Sequence, residues 1–260
     1  MKYTAKYFYD NMPKWKRIKD TFYCRFLLRP LSFYISSFFA NIGITANTAS
    51  YLNVFIAIFA GVLLLFNNYT LSVVGGIMIS VWLLFDCVDG NLARSVRKQP
   101  YGEYADALSS YFLVPLVCFG VGCQTYYNGG LFFEKECFVI IIASFFIGLS
   151  DTMMRLVYHK YKEVTNHMIK LGAVTHLDDS RNDHSKTGSL KVKIEADGGI
   201  AGVVPIITLV GLIFNLNDIS LFYLLCYYSG SFVVTTLMYT YKAIQFGKQT
   251  IIDPDDKDQK

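Results

Sequence analysis

The chain has 260 residues, of which 53% are hydrophobic, 16% aromatic and only 17% charged. That balance, with a positive mean hydropathy, excludes an ordinary soluble enzyme and points to a membrane protein. The net charge of +4 is accounted for by charge asymmetry across a bilayer and by anionic lipid, so no nucleic acid is implied as a partner.

The first thirty residues are basic and aromatic, without the pattern of a cleavable signal. From Tyr23 to Phe39, Arg25, Arg29 and several serines alternate with Phe, Leu and Ile. This predicts an amphipathic helix at the cytoplasmic interface, with Pro30 able to begin a new turn of it. The segment Asn41-Ile42-Gly43-Ile44-Thr45-Ala46-Asn47-Thr48 breaks the pattern, and Asn47 or Thr48 is the expected cap of the first span.

Apolar stretches follow at 48–67, 70–93, 105–123, 137–158, 199–215 and 218–241. Each is near the roughly 20 residues needed to cross about 30 Å of hydrocarbon. The expected fold class is therefore all-α integral membrane, with six transmembrane helices and an N-terminal interfacial amphipathic helix. Residues 1–43 form the N-terminal segment, 44–245 the membrane domain and 246–260 a tail. Polar turns at Asn67-Asn68-Tyr69-Thr70 and around Asn128-Gly129-Gly130 lie outside. Every Lys and Arg of the 24 except Lys135 falls on the opposite side, which puts both termini in the cytoplasm. Size and compactness favour a bacterial plasma membrane over an organelle.

The stretch 159–198 is polar and holds all four histidines, His159, His167, His176 and His184. Its start, Lys160 to Leu171, can prolong the fourth helix. The acidic run at 178–184 lacks ligand spacing and reads as a solvated loop rather than a metal site. Cys24, Cys87, Cys118, Cys123, Cys137 and Cys226 form no CxxC pair and read as free thiols.

The chemistry concentrates where the second span meets the third. On a helix, Asp86, Asp89, Gly90 and Ala93 fall at i, i+3, i+4 and i+7 and share one face. Carboxylates in a membrane helix cost up to roughly 2.5–3.5 kcal/mol each at the bilayer centre and repel one another, so they need a partner. Gly102 and Asp106 open the next helix, and a short basic turn brings Asp106 back to the first pair. Three oxygen ligands suit a hard cation such as Mg²⁺ or Mn²⁺ with positions left for phosphate, and Arg94 can offer a fork of donors to that phosphate. The competing reading is structural: Gly90 and Ala93 allow close helix packing, and the acids pair with Arg94, Arg97 and Lys98.

The pattern Asp86-x-x-Asp89-Gly90-x-x-Ala93-Arg94, then Gly102-x-x-x-Asp106, resembles the motif of the CDP-alcohol phosphotransferases, integral membrane enzymes of phospholipid synthesis. The resemblance implies transfer of a phosphoalcohol or phosphatidyl group from a CDP-linked alcohol donor to a lipid or other hydroxyl acceptor, with release of CMP, by a homodimer at the cytoplasmic face. It implies Asp86, Asp89 and Asp106 as metal ligands, and Gly90, Ala93, Arg94 and Gly102 around the nucleotide. The turn between Arg94 and Gly102 is one residue shorter than the usual pattern. More consequentially, the family's fourth aspartate, which deprotonates the acceptor, is here Ser110, and a serine cannot be a base near neutral pH. Asp151, four residues before Arg155 late in the fourth span, is either the substitute carboxylate, with Arg155 beside the substrate, or half of a self-contained ion pair. The alternative for the whole chain is a catalytically silent relative that binds CDP-ligands or lipid.

Overall fold

A computed structural model describes residues 2–170 and 196–249, and no β-strand occurs among them. Three short helices come first: α1 (Ala5–Asp10), α2 (Lys14–Lys19) and α3 (Arg29–Asn41), the last continuing a π-helical turn at Cys24–Leu28. Then come α4 (Ala46–Leu64), α5 (Tyr69–Ser95), α6 (Gly102–Asn128), α7 (Phe138–Lys170) and α8 (Val203–Phe214). The chain ends on α9 (Asn217–Leu224), a second π-helical turn at Leu225–Ser229, and α10 (Gly230–Gln249). Six helices are long and apolar enough to cross a membrane: α4, α5, α6, α7, the stretch Ala196–Phe214 containing α8, and the stretch Asn217–Gly247. The protein is a multi-pass, all-helical membrane protein.

Sequence and structure agree at most boundaries. Pro30 sits at the start of α3, on a helix that already runs through the π turn before it. It also withholds a bond from the preceding turn, which widens to a π turn. Along this helix Phe22, Phe26, Leu31, Tyr34 and Phe38 are exposed, the apolar face expected of a helix lying in the interface. α7 runs to Lys170, as Lys160 to Leu171 suggested. At about 1.5 Å per residue its 33 residues exceed the hydrocarbon thickness and carry it past the membrane. His176, His184 and the acidic run at 178–184 lie outside the described residues, as do 250–260. All six cysteines are free thiols.

Two expectations require correction. The cap of α4 is Thr45, whose extended backbone lets its hydroxyl accept from the Thr48 N–H at 3.2 Å. Asn47 and Thr48 lie inside the helix. Arg29, read as part of a solvated interfacial face, is buried at 5% exposure.

α4 is the organising helix. It packs extensively on both α5 and α6, whereas α5 and α6 touch each other little. Small residues permit this closeness: a Cβ on Gly61 would collide with Leu116, and one on Gly120 with Leu64. α7 then packs on α6, α10 on α7, α8 on α5, and α3 against α5. At the far end of the bundle Gln124 Nε2 donates to the carbonyls of Leu64 and Phe66 at 2.7 and 2.8 Å, satisfying the orphan carbonyls where α4 ends.

Candidate active site

The end of α5 and the turn after it, residues 96–101, are tied down by three hydrogen bonds from two residues, Asn47 and Tyr7. Asn47 Nδ2 donates to the Pro100 carbonyl at 2.8 Å, the Asn47 N–H donates to Gln99 Oε1 at 3.1 Å, and Tyr7 Oη donates to the Ser95 carbonyl at 2.7 Å. Tyr101 reverses the chain in the left-handed region, with φ +61°, and α6 starts at the next residue. A Cβ on Gly102 would lie 3.2 Å from Asn47 Oδ1, so glycine admits the start of α4 here. These contacts hold the last turns of α5 beside the first turns of α6.

There the carboxyls of Asp86 and Asp106 face each other across the two helices, close enough to act on one another electrostatically. Both lie close enough to Asp89 to act on it electrostatically. Asp89 is buried, Asp86 half-buried and Asp106 exposed, so the three form a path from helix interior to surface. Asp89 Oδ2 accepts from Ser50 Oγ of α4 at 2.7 Å. With Asp89 turned to Ser50, no three His, Cys, Asp or Glu side chains among the described residues form a ready-made metal shell. The donor set nonetheless fits a hard divalent cation: it is oxygen only, and neighbouring carboxyls repel unless a proton or a cation lies between them.

No ion pair joins Asp86, Asp89 or Asp106 to Arg94, Arg97 or Lys98 among the described residues; Lys98 pairs with Glu103 at 3.5 Å on the surface. Lys16 of α2 and Arg155 of α7 are instead the cations whose charge reaches Asp106. At Gly90 the atoms nearest to an added Cβ belong to Arg94 and not to a neighbouring helix. A Cβ there would meet the terminal nitrogens of Arg94 at 2.9 and 3.0 Å, so the bare backbone is what the Arg94 fork lies against. Ala93 does pack, on the cluster formed by Phe8, Phe33, Ala46, Val88 and Leu92.

Beneath Arg94 runs a polar network that the sequence did not announce. Arg29 makes a bidentate pair with Asp20, at 2.8 and 2.7 Å, and donates to Asn91 Oδ1 at 3.2 Å. Asn91 Oδ1 also accepts from Arg94 Nη2 at 3.2 Å, while Asn91 Nδ2 donates to Ser32 and Ser36 at 3.0 and 3.2 Å. A buried guanidinium is tolerated only when paired and hydrogen-bonded in this way. The network fastens α3 to the helix that carries the motif and fixes Asn91 under Arg94.

Ser110, one turn after Asp106, meets α7. Its hydroxyl accepts from Arg155 Nη1 at 3.1 Å, and Arg155 Nε donates to Asp151 Oδ2 at 2.7 Å. The guanidinium also lies over the Tyr111 ring, 5.1 Å from its centroid. Asp151 is 1% exposed, and its second oxygen, Oδ1, has no hydrogen-bond partner. Asp151, Arg155 and Ser110 thus form one chain reaching from α7 to the acidic cluster. Sequence reasoning reached Asp151 and Arg155 through their i,i+4 spacing but missed Ser50, Asn91 and Asp20, which carry no local signal.

A family model for ceramide phosphoethanolamine synthase matches residues 21–172, more than half of the chain, from the π turn before α3 to the end of α7. The match takes in the whole acidic cluster together with Ser110, Asp151 and Arg155. No curated protein matches the chain.

Proposed function

Because this chain belongs to the ceramide phosphoethanolamine synthase family, we propose that it transfers phosphoethanolamine from a CDP-linked donor to the hydroxyl of a ceramide-like lipid, releasing CMP. The observation that carries the reading is the convergence of Asp86, Asp89 and Asp106 beside a glycine left bare for an arginine fork. The acceptor oxygen attacks the phosphorus bearing the ethanolamine, the bond from that phosphorus to the bridging oxygen breaks, and CMP leaves with the bridging oxygen.

Asp86, Asp89 and Asp106 would hold Mg²⁺ or Mn²⁺, which neutralises charge on a diphosphate when bound. Arg94, steadied by Asn91, binds phosphate oxygens over the bare backbone of Gly90. Ser110 cannot take the acceptor proton; Asp151 takes it on Oδ1, and Arg155 holds Asp151 in place through Oδ2. We place this site at the cytoplasmic face on the charge distribution, and the protein in a homodimer on its resemblance to the CDP-alcohol phosphotransferases. The second reading, a silent relative, is favoured by one observation: an arginine, not a carboxylate, contacts residue 110.

The test is CMP release by purified protein from CDP-ethanolamine, CDP-choline and CDP-diacylglycerol, with ceramide as acceptor and with Mn²⁺, Mg²⁺ or chelator. Release from CDP-ethanolamine alone, abolished by chelator, is the expected result. No release from any donor would leave the silent-relative reading in its place.

A further inference from the structure

Between α1, α2 and the start of α3 lies a cavity of about 410 Å³, within the roughly 300–1,000 Å³ of small-molecule sites. No residue given a part in the reaction lines it. Its wall carries three guanidiniums, Arg17, Arg25 and Arg29, and one carboxylate, Asp20. That carboxylate is already engaged, by Arg29 at 2.7 and 2.8 Å and by Lys16 at 3.3 Å. Arg17 and Arg25 are left without a counter-charge: among the described residues no carboxylate pairs with either. Two cations at one cavity wall repel each other unless an anion lies between them.

Both forks are fixed in position, each through a single nitrogen. Arg17 Nη2 donates to the Tyr9 carbonyl at 2.6 Å, and its guanidinium lies over the Tyr9 ring, 4.4 Å from the centroid. Arg25 Nη2 donates to the carbonyls of Arg17, Ile18 and Asp20, at 2.6, 3.0 and 3.3 Å, where α2 ends. A guanidinium has five N–H donors, so most of each fork is unspent. α2 itself buries no residue. Its attachment rests on these polar contacts and on the Lys16 to Asp20 pair, not on apolar burial.

The surroundings decide which anion. Ile18 in the cavity wall is 47% exposed, and Phe22, Phe26 and Leu27, beside Arg25 in the chain, are exposed as well, an apolar surface of the kind that dips into lipid at the interface. Residues 1–30 hold eight Lys and Arg against two Asp, which draws this segment to anionic lipid. We propose that the cavity binds the head-group phosphate of an acidic phospholipid, with the unspent N–H groups of Arg17 and Arg25 donating to its oxygens, and that the bound lipid fastens α2 to the bilayer. Guanidinium forks match the geometry of phosphate oxygens. Diffuse attraction to a charged surface falls on all eight cations alike, whereas a built site concentrates on these two.

The experiment is titration calorimetry on the full chain in an uncharged detergent, with dioctanoyl phosphatidylglycerol, dioctanoyl phosphatidylcholine and inorganic phosphate as the three probes. Phosphatidylglycerol should bind saturably at one per chain, and the other two at least tenfold more weakly. Arg17→Gln and Arg25→Gln should each weaken phosphatidylglycerol at least tenfold, as expected for loss of hydrogen bonds to a charged group. Lys6→Gln and Lys14→Gln, which remove the same charge from exposed positions of α1 and α2, should leave it near wild type. Arg25→Gln also strips the carbonyls at the end of α2, so Ile18→Trp, which narrows the cavity and keeps every charge, is the second variant; it should weaken the lipid at least tenfold with unchanged circular dichroism. Inorganic phosphate or the choline lipid binding as tightly as phosphatidylglycerol would overturn the proposal, as would the absence of saturable binding. Equal losses in Lys14→Gln would reduce the effect to diffuse charge, and a loss confined to Arg25→Gln would reduce it to the capping of α2; either result overturns the site.

Discussion

Arg155 Nη1 donates to Ser110 Oγ across 3.1 Å, joining α7 to α6 one turn beyond Asp106. The same guanidinium grips Asp151 at 2.7 Å, so the position without a carboxylate and the nearest buried carboxylate share one arginine. If Asp151 takes the acceptor proton, Asp151→Asn should lower kcat by about 10² to 10⁴, the range for a positioned base, while CDP-ethanolamine affinity stays near wild type. Ser110→Asp should restore part of that rate in the Asp151→Asn background, because Arg155 is already in contact with residue 110. A silent Asp151→Asn would remove Asp151 from the reaction.

Asp86→Asn, Asp89→Asn and Asp106→Asn should each abolish chelator-sensitive CMP release while thermal unfolding and elution volume stay unchanged. Ser50→Ala should be milder, since it removes one hydrogen bond to Asp89, worth about 1.5–3 kcal/mol to a charged group, and no ligand. Near-normal activity in any of the three aspartate variants would take that residue out of the metal shell.

Gly90→Leu should weaken CDP-ethanolamine binding at least tenfold with little change in unfolding temperature. Even the first carbon of the new side chain would lie about where the Arg94 fork now rests, at 2.9–3.0 Å from its nitrogens. Ala93→Leu should cost stability as well, since Ala93 packs on the Phe8 and Phe33 cluster. Titration calorimetry with CDP-ethanolamine separates the two, and equal stability losses would return Gly90 to a packing role.

The motif was legible because helical spacing is a local property: five of its members, from Asp86 to Arg94, lie on consecutive turns of α5, and Asp151 and Arg155 lie one turn apart on α7. The six spans were legible because hydrocarbon thickness sets a length that apolar runs must meet. What escaped was the support. Ser50 reaches Asp89 over 39 residues of sequence, and Arg29 reaches Asn91 over 62. No periodicity encodes such pairings, and an arginine on an amphipathic stretch looks solvated until a distant aspartate and asparagine are seen to close over it. The cap of α4 was misplaced for a related reason, since Asn47, a good capping residue, is engaged by the 96–101 turn.

Asp20→Asn should strip Arg29 of its counter-charge within a site it cannot leave. Breaking one side of a buried pair costs about 3–5 kcal/mol, so the N-terminal helices should loosen and become protease-sensitive before the membrane core does. Limited proteolysis of vesicle-embedded protein reads this directly; an unchanged digestion pattern would show that the pair contributes little.

The charge distribution predicts that a cysteine at Asn67 reacts with an impermeant thiol reagent added outside and that one at Ser95 does not, in a background where the exposed Cys226 is replaced by serine. The reverse pattern would put the acidic cluster on the outer face.

The central claim, that a phosphoethanolamine group passes from a nucleotide to a lipid, is tested most directly by following the phosphorus. Purified protein is given CDP-ethanolamine carrying ³²P on the phosphate next to ethanolamine, with ceramide vesicles and Mn²⁺, and the products are partitioned between lipid and water. The account predicts label in a ceramide-derived lipid, one unlabelled CMP per labelled lipid, and loss of both in Asp106→Asn. Label that stays in the aqueous phase, or lipid labelling that survives Asp106→Asn, would contradict it.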